Sequence, residues 1–217
     1  MKYLICILSI ICISIGLSYS QEKTSTDTSG TFIDNRDGHV YKWVKIGTQI
    51  WMAENLIYDA GSGSWNYFND PAYATYGRLY DWETAKKACP AGWHLPDDSE
   101  WTILTDYVAG SKNARKGVVG GNKAAGGKMK IDDTTFWKSP NKGATNASGF
   151  SALPGGLFDI RRGFFFQTRT GAYFWSSAEY LDDSNMAWFR YLDYKQDSIY
   201  RDRSYKFFGL SVRCVRD

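Results

Sequence analysis

Two neighbouring segments near the middle of the chain show the apolar and polar spacing of short helices. Residues 81–88 predict a first helix, which ends before Pro90 because proline lacks a backbone donor and restricts the residue before it. A second helix is predicted after Pro96, with Asp97 and Glu100 at the spacing of a capping box. Its predicted buried stripe comprises Trp101, Leu104, Tyr107 and Val108. Glu100 is therefore assigned to capping rather than to catalysis.

Alternation of apolar and polar positions predicts strands over much of the remaining chain. An N-terminal meander with Asp-Gly and Gly-Thr turns is predicted over Thr31–Asp34, His39–Ile46 and Gln49–Ala53. Strands in the C-terminal third are predicted at Phe150–Leu153, Leu157–Ile160, Gly163–Thr168, Ala172–Ser177, Met186–Leu192 and Leu210–Val215. Together these patterns indicate an α+β fold, with two short helices packed on small antiparallel sheets and long loops between them.

Two long segments carry turn-forming residues instead of a periodic pattern. Residues 57–75 mix Gly, Asn, Asp and Pro with the aromatic residues Trp65, Tyr67, Phe68 and Tyr73. Residues 110–130 contain six glycines and several lysines, but no phosphate-binding motif. Because loops carry function more often than scaffolds do, we expect residues 57–75 and 110–148 to form a recognition face. The alternative is that the aromatic rings of the first loop cover the edge of the core.

The first residues have the pattern of an export signal. Lys2 precedes an apolar run from Leu4 to Leu17, and small residues follow before Gln21. This run is shorter than the ~20 apolar residues that a membrane-spanning helix needs. We therefore predict a cleaved signal peptide at 1–20, a flexible leader at 21–30 and a single domain at 31–217, with no membrane span after cleavage. The mature protein is expected in the periplasm, at the cell surface or outside the cell.

Composition and charge narrow the class of protein. Apolar residues make up 43% of the chain and aromatic residues 17%, which favours a globular core over disorder. The formal net charge is +3, and acidic residues are interleaved with the late basic ones. A nucleic-acid-binding protein would show a basic stripe, so no nucleic acid is expected as a partner.

The cysteines predict one disulfide. Four cysteines occur, and removal of the signal peptide with Cys6 and Cys12 leaves Cys89 and Cys214. An exported chain enters an oxidising compartment, where such a pair usually forms a disulfide. The alternative is a catalytic thiol at Cys89 near His94, which a disulfide would exclude.

No metal or cofactor is expected. Asp34, Asn35 and Asp37 lie close together, but the spacing of a calcium loop is missing and no glutamate follows at its twelfth position. Turn formation is the better interpretation of these residues.

Several long motifs resemble the Fibrobacter succinogenes major paralogous domain family. They are DGHVYKWVKIGTQIWMAENL (37–56), YGRLYDWETAKKACPAGWHLPDDSEW (76–101), GFSALPGG (149–156), FWSSAEY (174–180) and GLSVRCVRD (209–217). The resemblance spans nearly all of the mature chain and implies an exported protein of Fibrobacter or Bacteroidetes-type bacteria.

The order of elements, with one cysteine at the first helix and another in the last strand, also resembles the C-type lectin-like fold. HLPDDSEW is similar to a segment of its formylglycine-generating-enzyme branch. That branch works through a cysteine pair near its C-terminal end, whereas Cys214 can pair only with Cys89. The calcium-binding motifs of sugar-binding lectins are also absent, and FWSS (174–177) stands where one would be expected. The resemblance therefore implies the fold without either activity.

The leading functional hypothesis is an exported, non-catalytic module that binds glycan or protein at the bacterial surface. Aromatic rings stack on sugars and anchor protein interfaces. The candidate ligand-binding residues are Trp65, Tyr67, Trp137, Trp188, Arg190 and Tyr191, each of which has core or strand packing as its alternative. A glycan hydrolase would need a facing carboxylate pair, for which Asp182, Asp183, Asp193 and Asp197 are available without a recognisable signature. A third hypothesis is a structural or adhesive surface domain that recognises protein through a flat aromatic patch.

Overall fold

The computed structural model describes residues 27–67, 70–110, 120–122 and 125–217. The predicted signal peptide and most of the predicted leader lie outside these residues, as does Phe68. The strands of the N-terminal meander are β1 (Ser29–Ile33), β2 (Val40–Ile46) and β3 (Gln49–Met52). The meander is confirmed, and its first strand begins two residues before the predicted start at Thr31.

Three short strands, a 3-10 helix and the two predicted helices follow. They are β4 (Ser64–Trp65), the 3-10 helix Pro71–Tyr76, β5 (Leu79–Tyr80), α1 (Trp82–Ala88), β6 (Trp93–His94) and α2 (Asp98–Ala109). Both predicted helices are confirmed. The predicted buried stripe of α2 is correct for Trp101, Leu104 and Val108 but wrong for Tyr107, which is 63% exposed. Asp97 caps α2 by accepting from the backbone of Glu100, whose side chain accepts from the backbone of Asp97 in return.

The rest of the described chain is mostly strand. Its elements are β7 (Gly120–Asn122), α3 (Ala125–Met129), β8 (Leu157–Asp159), β9 (Phe164–Phe166), β10 (Gly171–Glu179), β11 (Met186–Asp193), β12 (Ile199–Tyr205), β13 (Phe208–Ser211) and β14 (Val215–Arg216). None of the helices in the described ranges has the length and hydropathy needed to cross a membrane.

The strands of the described ranges form two sheets. The first has five strands in the order β1-β2-β3-β14-β6, and the second has nine, with the path β4-β5-β13-β10-β11-β12-β7 and the hairpin β8–β9 attached to β13. The α+β class is confirmed. The prediction of small antiparallel sheets is wrong for the second sheet, which is large and includes the parallel pair β10–β13.

The predicted final strand is in fact two strands in different sheets. The prediction ran from Leu210 to Val215, but β13 ends at Ser211 in the second sheet and β14 begins at Val215 in the first. The intervening residues carry the chain between the sheets, where Cys214 is bonded to Cys89 at a Cα–Cα distance of 6.0 Å. The predicted disulfide is therefore confirmed, and it excludes a free catalytic thiol at Cys89.

Aromatic rings fill the core between α2 and the sheets. Trp51 and Trp101 lie 4.9 Å apart between ring centroids, and Phe150 packs edge-on against Phe174 at 5.6 Å. Arg213 is fully buried among them, with its guanidinium 4.4 Å from the Phe150 ring centroid. Its donors reach Asn55 and the backbone carbonyls of Met52, Phe150 and Ser151. The guanidinium thus ties the crossing segment to residues 52–55 and to residues 150–151.

Candidate functional site

Two of the six predicted ligand residues belong to the core. Tyr67 is 1% exposed and Trp137 is 0% exposed, so neither ring offers a surface to a ligand. The Trp137 indole donates to the carbonyl of Ala152 at 3.0 Å. Tyr67 and Trp137 are therefore core residues and not the ligand contacts that were predicted. Both rings are buried between loop segments and the sheets. Trp65 is half-buried and packs on Phe158 with the ring centroids 5.0 Å apart.

The other three predicted residues lie on β11, on opposite faces. Trp188 and Arg190 point to the face that packs near α2, whereas Tyr191 points to the other face. The structure therefore brings Trp188 and Arg190 together and separates both from Tyr191.

Trp188 and Arg190 form part of an ionic cluster with Asp98 at the start of α2. The Asp98 carboxylate accepts from Arg190 Nη1 and Arg201 Nε, each at 2.8 Å. Burial alone would raise the pKa of Asp98, but the hydrogen bonds and charges of Arg201 and Arg190 hold it below its usual value. The Arg201 guanidinium lies 3.2 Å from the Trp188 ring centroid and covers one face of the indole. Arg190, at 4% exposed, therefore binds α2 to the sheet.

Tyr191 is the centre of a row of three tyrosines on the opposite face. It pairs in register with Tyr173 on β10 and with Tyr200 on β12. The ring centroids lie 5.7 and 4.8 Å apart, with interplanar angles of 15° and 17°. We call Tyr173, Tyr191 and Tyr200 the tyrosine row. All three rings are half-buried, and the spacing close to that between strands shows that they stand upright on the sheet.

Each end residue of the tyrosine row has a glycine beside it: Gly171 lies two residues from Tyr173 on the same strand, and Gly121 is paired with Tyr200. A Cβ at Gly171 would lie 2.5 Å from Cε2 of Tyr173, so the ring of Tyr173 occupies the space above that glycine. On the other side, β7 places Gly121 opposite Tyr200. The residue paired with Tyr200 therefore has no side chain to cover the outer face of its ring.

Burial and nearby carboxylates raise the pKa of two hydroxyls of the row, those of Tyr173 and Tyr191. Burial, with contributions from Asp193 and Tyr191, raises the pKa of Tyr173 to about 12. Burial, followed by Tyr200, Asp202 and Asp193, also raises the pKa of Tyr191. Protonated phenols both donate and accept hydrogen bonds, as do sugar hydroxyls. The row thus combines aromatic surface with neutral hydrogen-bonding groups and adjacent carboxylates.

The carboxylates considered for catalysis already have local partners. Asp183 accepts from the backbone of Asn185 at 2.9 Å, and Asp193 accepts from the backbone of Lys195 at 2.7 Å. Asp182 interacts with the hydroxyl of Tyr180, and the negative charge of Asp197 acts to raise the pKa of Lys130. Over the described ranges, no three His, Cys, Asp or Glu side chains converge as metal ligands.

Sequence reasoning found Tyr191 but missed its two neighbours as site residues. Tyr173 lies in a predicted strand, whereas the strand that carries Tyr200 was not predicted at all. The only local signal was that Tyr173 and Tyr191 both occupy strand positions facing away from their buried neighbours. Their stacking depends on the registers of β10, β11 and β12, which the separate patterns of the strands do not encode.

The architecture defines the class as a disulfide-linked, sheet-rich α+β domain. The family model of the Fibrobacter succinogenes major domain matches residues 44–216, which is most of the chain. The chain therefore belongs to this family. No curated protein matches it, and no solved structure matches it.

Proposed function

We propose that this protein is an exported, non-catalytic binding module that recognises glycan through the tyrosine row. The observation that carries the proposal is the in-register stacking of Tyr173, Tyr191 and Tyr200 on a partly exposed sheet face. Partly exposed aromatic rings next to hydrogen-bonding groups suit the apolar faces and hydroxyls of sugars. A sugar ring on the outer face of Tyr200 would extend the stack over Gly121, the residue paired with Tyr200.

The proposal also includes export of the protein and a C-type lectin-like fold. The disulfide between Cys89 and Cys214 supports passage through an oxidising compartment, in agreement with the signal pattern at 1–20. The final location would be the periplasm, the cell surface or the medium. The succession of α1, α2, a long connection and then strands, closed by this disulfide, supports a C-type lectin-like fold.

A protein-recognising adhesive domain is the second candidate function. The outer face of the edge strand β9 exposes Phe164 at 62% and Phe166 at 37%, and Ile160 next to it is 46% exposed. Exposed apolar patches of this kind mark contact surfaces for other proteins. A glycan hydrolase is disfavoured, because the carboxylates of Asp183 and Asp193 each accept a hydrogen bond from the backbone two residues further along.

Glycan-array binding tests the proposal. Purified protein would be applied with and without calcium, and heat-inactivated protein would serve as the background control. We expect saturable binding that Tyr191→Ala and Tyr200→Ala abolish. Tyr200→Phe, which keeps the ring, should retain most of it. Tyr107→Ala is the matched control because Tyr107 is 63% exposed on α2, away from the row. Failure to bind any glycan, or equal loss in the Tyr107 variant, would contradict the proposal.

A further inference from the structure

A second feature of the surface is an open cleft of about 520 Å³ at the far end of β11 and β12. It lies between the start of α1, the tip of the β8–β9 hairpin, the β10–β11 turn and the β12–β13 turn. Its lining includes Glu83, Arg161, Asn185, Tyr205 and Phe207. The volume falls within the range of ordinary small-molecule sites. Five strand residues separate its edge at Tyr205 from Tyr200, which is ~16 Å at the rise of a β-strand.

The fold holds Arg161 over an aromatic wall of this cleft. The buried Asp159 accepts from the backbone of Arg161 at 3.0 Å and thereby fixes the hairpin tip. Asp159 also pairs with Phe208 across the sheet, so the tip projects over Phe207. The Arg161 guanidinium lies 3.7 Å from the Phe207 ring centroid, and Phe207 stacks on Tyr205 with the centroids 5.3 Å apart.

Arg161 also supplies a positive charge to the cleft that none of the described carboxylates neutralises. Lys206 is paired with Glu179 at 2.6 Å, and Glu83 is paired with Lys86 at 2.9 Å, so these charges cancel. In the part of the chain that the structure describes, no carboxylate lies within ion-pair distance of the Arg161 side chain, which is exposed. Its neighbour Arg162 faces Asp159 instead, at 3.7 Å. The cleft therefore carries one net positive charge beside stacked rings.

We propose that this cleft binds a carboxylated sugar, with the carboxylate on Arg161. A guanidinium presents its donors in the planar arrangement that a carboxylate accepts, and stacking on Phe207 orients that plane. Tyr205, which is 41% exposed, provides apolar surface for the ring, while Asn185 and the Glu83 carboxylate provide partners for its hydroxyls. This site is separate from the tyrosine row and extends the proposed function to an acidic class of ligand.

Calorimetric titration with trigalacturonate and with neutral galactotriose tests the assignment. We expect saturable binding of trigalacturonate that is at least about tenfold tighter than that of galactotriose. Arg161→Gln should weaken trigalacturonate binding by about tenfold or more, because the charged partner of the carboxylate is lost. Arg162→Gln is the matched control and should stay within about twofold, since Arg162 does not line the cleft. Arg161 is exposed, so its variant should fold, and circular dichroism checks this.

The controls separate this inference from the tyrosine row. Tyr200→Ala should leave trigalacturonate binding unchanged if the cleft is the site. The inference is overturned if both trisaccharides bind equally, if neither binds, or if Arg161→Gln and Arg162→Gln behave alike. It is also overturned if triglutamate binds and trigalacturonate does not, because the ligand would then be an acidic peptide. Loss of trigalacturonate binding in the Tyr200 variant alone would place the acidic ligand on the row instead.

Discussion

The disulfide between Cys89 and Cys214 joins the C-terminal end of α1 to the segment that crosses from the second sheet to the first. Around the same segment, the carbonyl of Cys214 accepts from the backbone of Met52 at 3.0 Å, and that of Val212 accepts from Leu56 at 3.0 Å. One covalent bond and two backbone hydrogen bonds thus fix this segment to the end of α1 and to residues 52–56.

Removal of this disulfide should lower stability strongly. The bond closes a loop with a sequence separation of 125 residues. For a loop of this length, the chain-entropy model gives about 4–5 kcal/mol. We expect the Cys89→Ser/Cys214→Ser variant to show that loss in urea-induced unfolding. Dithiothreitol should destabilise the wild type to a similar degree and leave the double variant unchanged. A reductant effect of equal size on both proteins would contradict the prediction.

The Lys130 ammonium should stabilise the loops whose carbonyls surround it. Its side chain is 0% exposed, and its ammonium donates to the carbonyls of Lys142, Asp193 and Gln196 at 2.9, 3.0 and 2.9 Å. Burial lowers the pKa of Lys130 to about 8, against the raising effect of Asp193 and Asp197, so the group stays largely protonated at neutral pH. Lys130→Met would leave three carbonyls without this donor and should cost at least ~3 kcal/mol.

Urea-induced unfolding measures this loss. Lys142→Met is the matched control, because the Lys142 side chain is exposed and only its carbonyl contacts Lys130. A Lys130 variant as stable as the Lys142 variant would show that the ammonium contributes nothing.

His94 should make stability depend on pH. Its ring nitrogens face Asp217 at 2.6 Å and Glu100 at 2.8 Å. Burial lowers the pKa of His94, but hydrogen bonds to Asp217 and Glu100 outweigh burial, so the pKa is raised. A raised folded-state pKa means that the stabilisation is fully present below the unfolded value of about 6.5. It is lost as pH rises through the higher folded-state pKa.

Thermal unfolding of the wild type and His94→Gln from acidic to mildly alkaline pH checks the sign. The difference in Tm should be largest at the acidic end and should shrink as the pH rises. Asp217→Asn, which removes one of the two partners, should reduce this pH dependence. A difference that grows with pH would show that the neutral imidazole is the stabilised form.

Gly171 should be required for the tyrosine row. Its Cα has no room for a methyl group, because a Cβ would approach Cε2 of Tyr173 at 2.5 Å and Cζ at 3.0 Å. Gly171→Ala should therefore displace the Tyr173 ring and cost ~1–3 kcal/mol through overpacking. The near-ultraviolet circular dichroism of the stacked tyrosines should change, and glycan binding should weaken. Unchanged aromatic dichroism would contradict the geometry of the row.

Features that depend on neighbouring residues in sequence were predictable, whereas those that depend on tertiary pairing were not. The capping box of Asp97 and Glu100 and the end of α1 before Pro90 follow from local backbone chemistry. The disulfide was predictable because removal of the predicted signal peptide leaves two cysteines, Cys89 and Cys214. By contrast, β12 escaped prediction because its sequence IYRDRSY is mostly polar and lacks a continuous apolar face.

Backbone conformation and close packing explain the remaining errors. Residues 150–153 were predicted as a strand, but Ser151 adopts a φ of 55°, and only Ala152 forms a bridge, to Lys130. The helix α3 was assigned to a loop because its sequence AGGKM contains two weak helix formers. Both glycines are needed there, since a Cβ at Gly126 or Gly127 would collide with the neighbouring backbone. Such contacts between distant segments leave no periodic signal.

Binding of glycan to the tyrosine row is tested most directly by an NMR titration of protein labelled with ¹³C at its tyrosine rings, using the glycan with the strongest array signal. We expect the ring signals of Tyr191 and Tyr200 to shift saturably, that of Tyr173 to shift to a smaller extent, and that of Tyr107 to stay unchanged. Shifts that spare the tyrosine row while binding occurs would show that the glycan binds elsewhere and that the row is not the binding site.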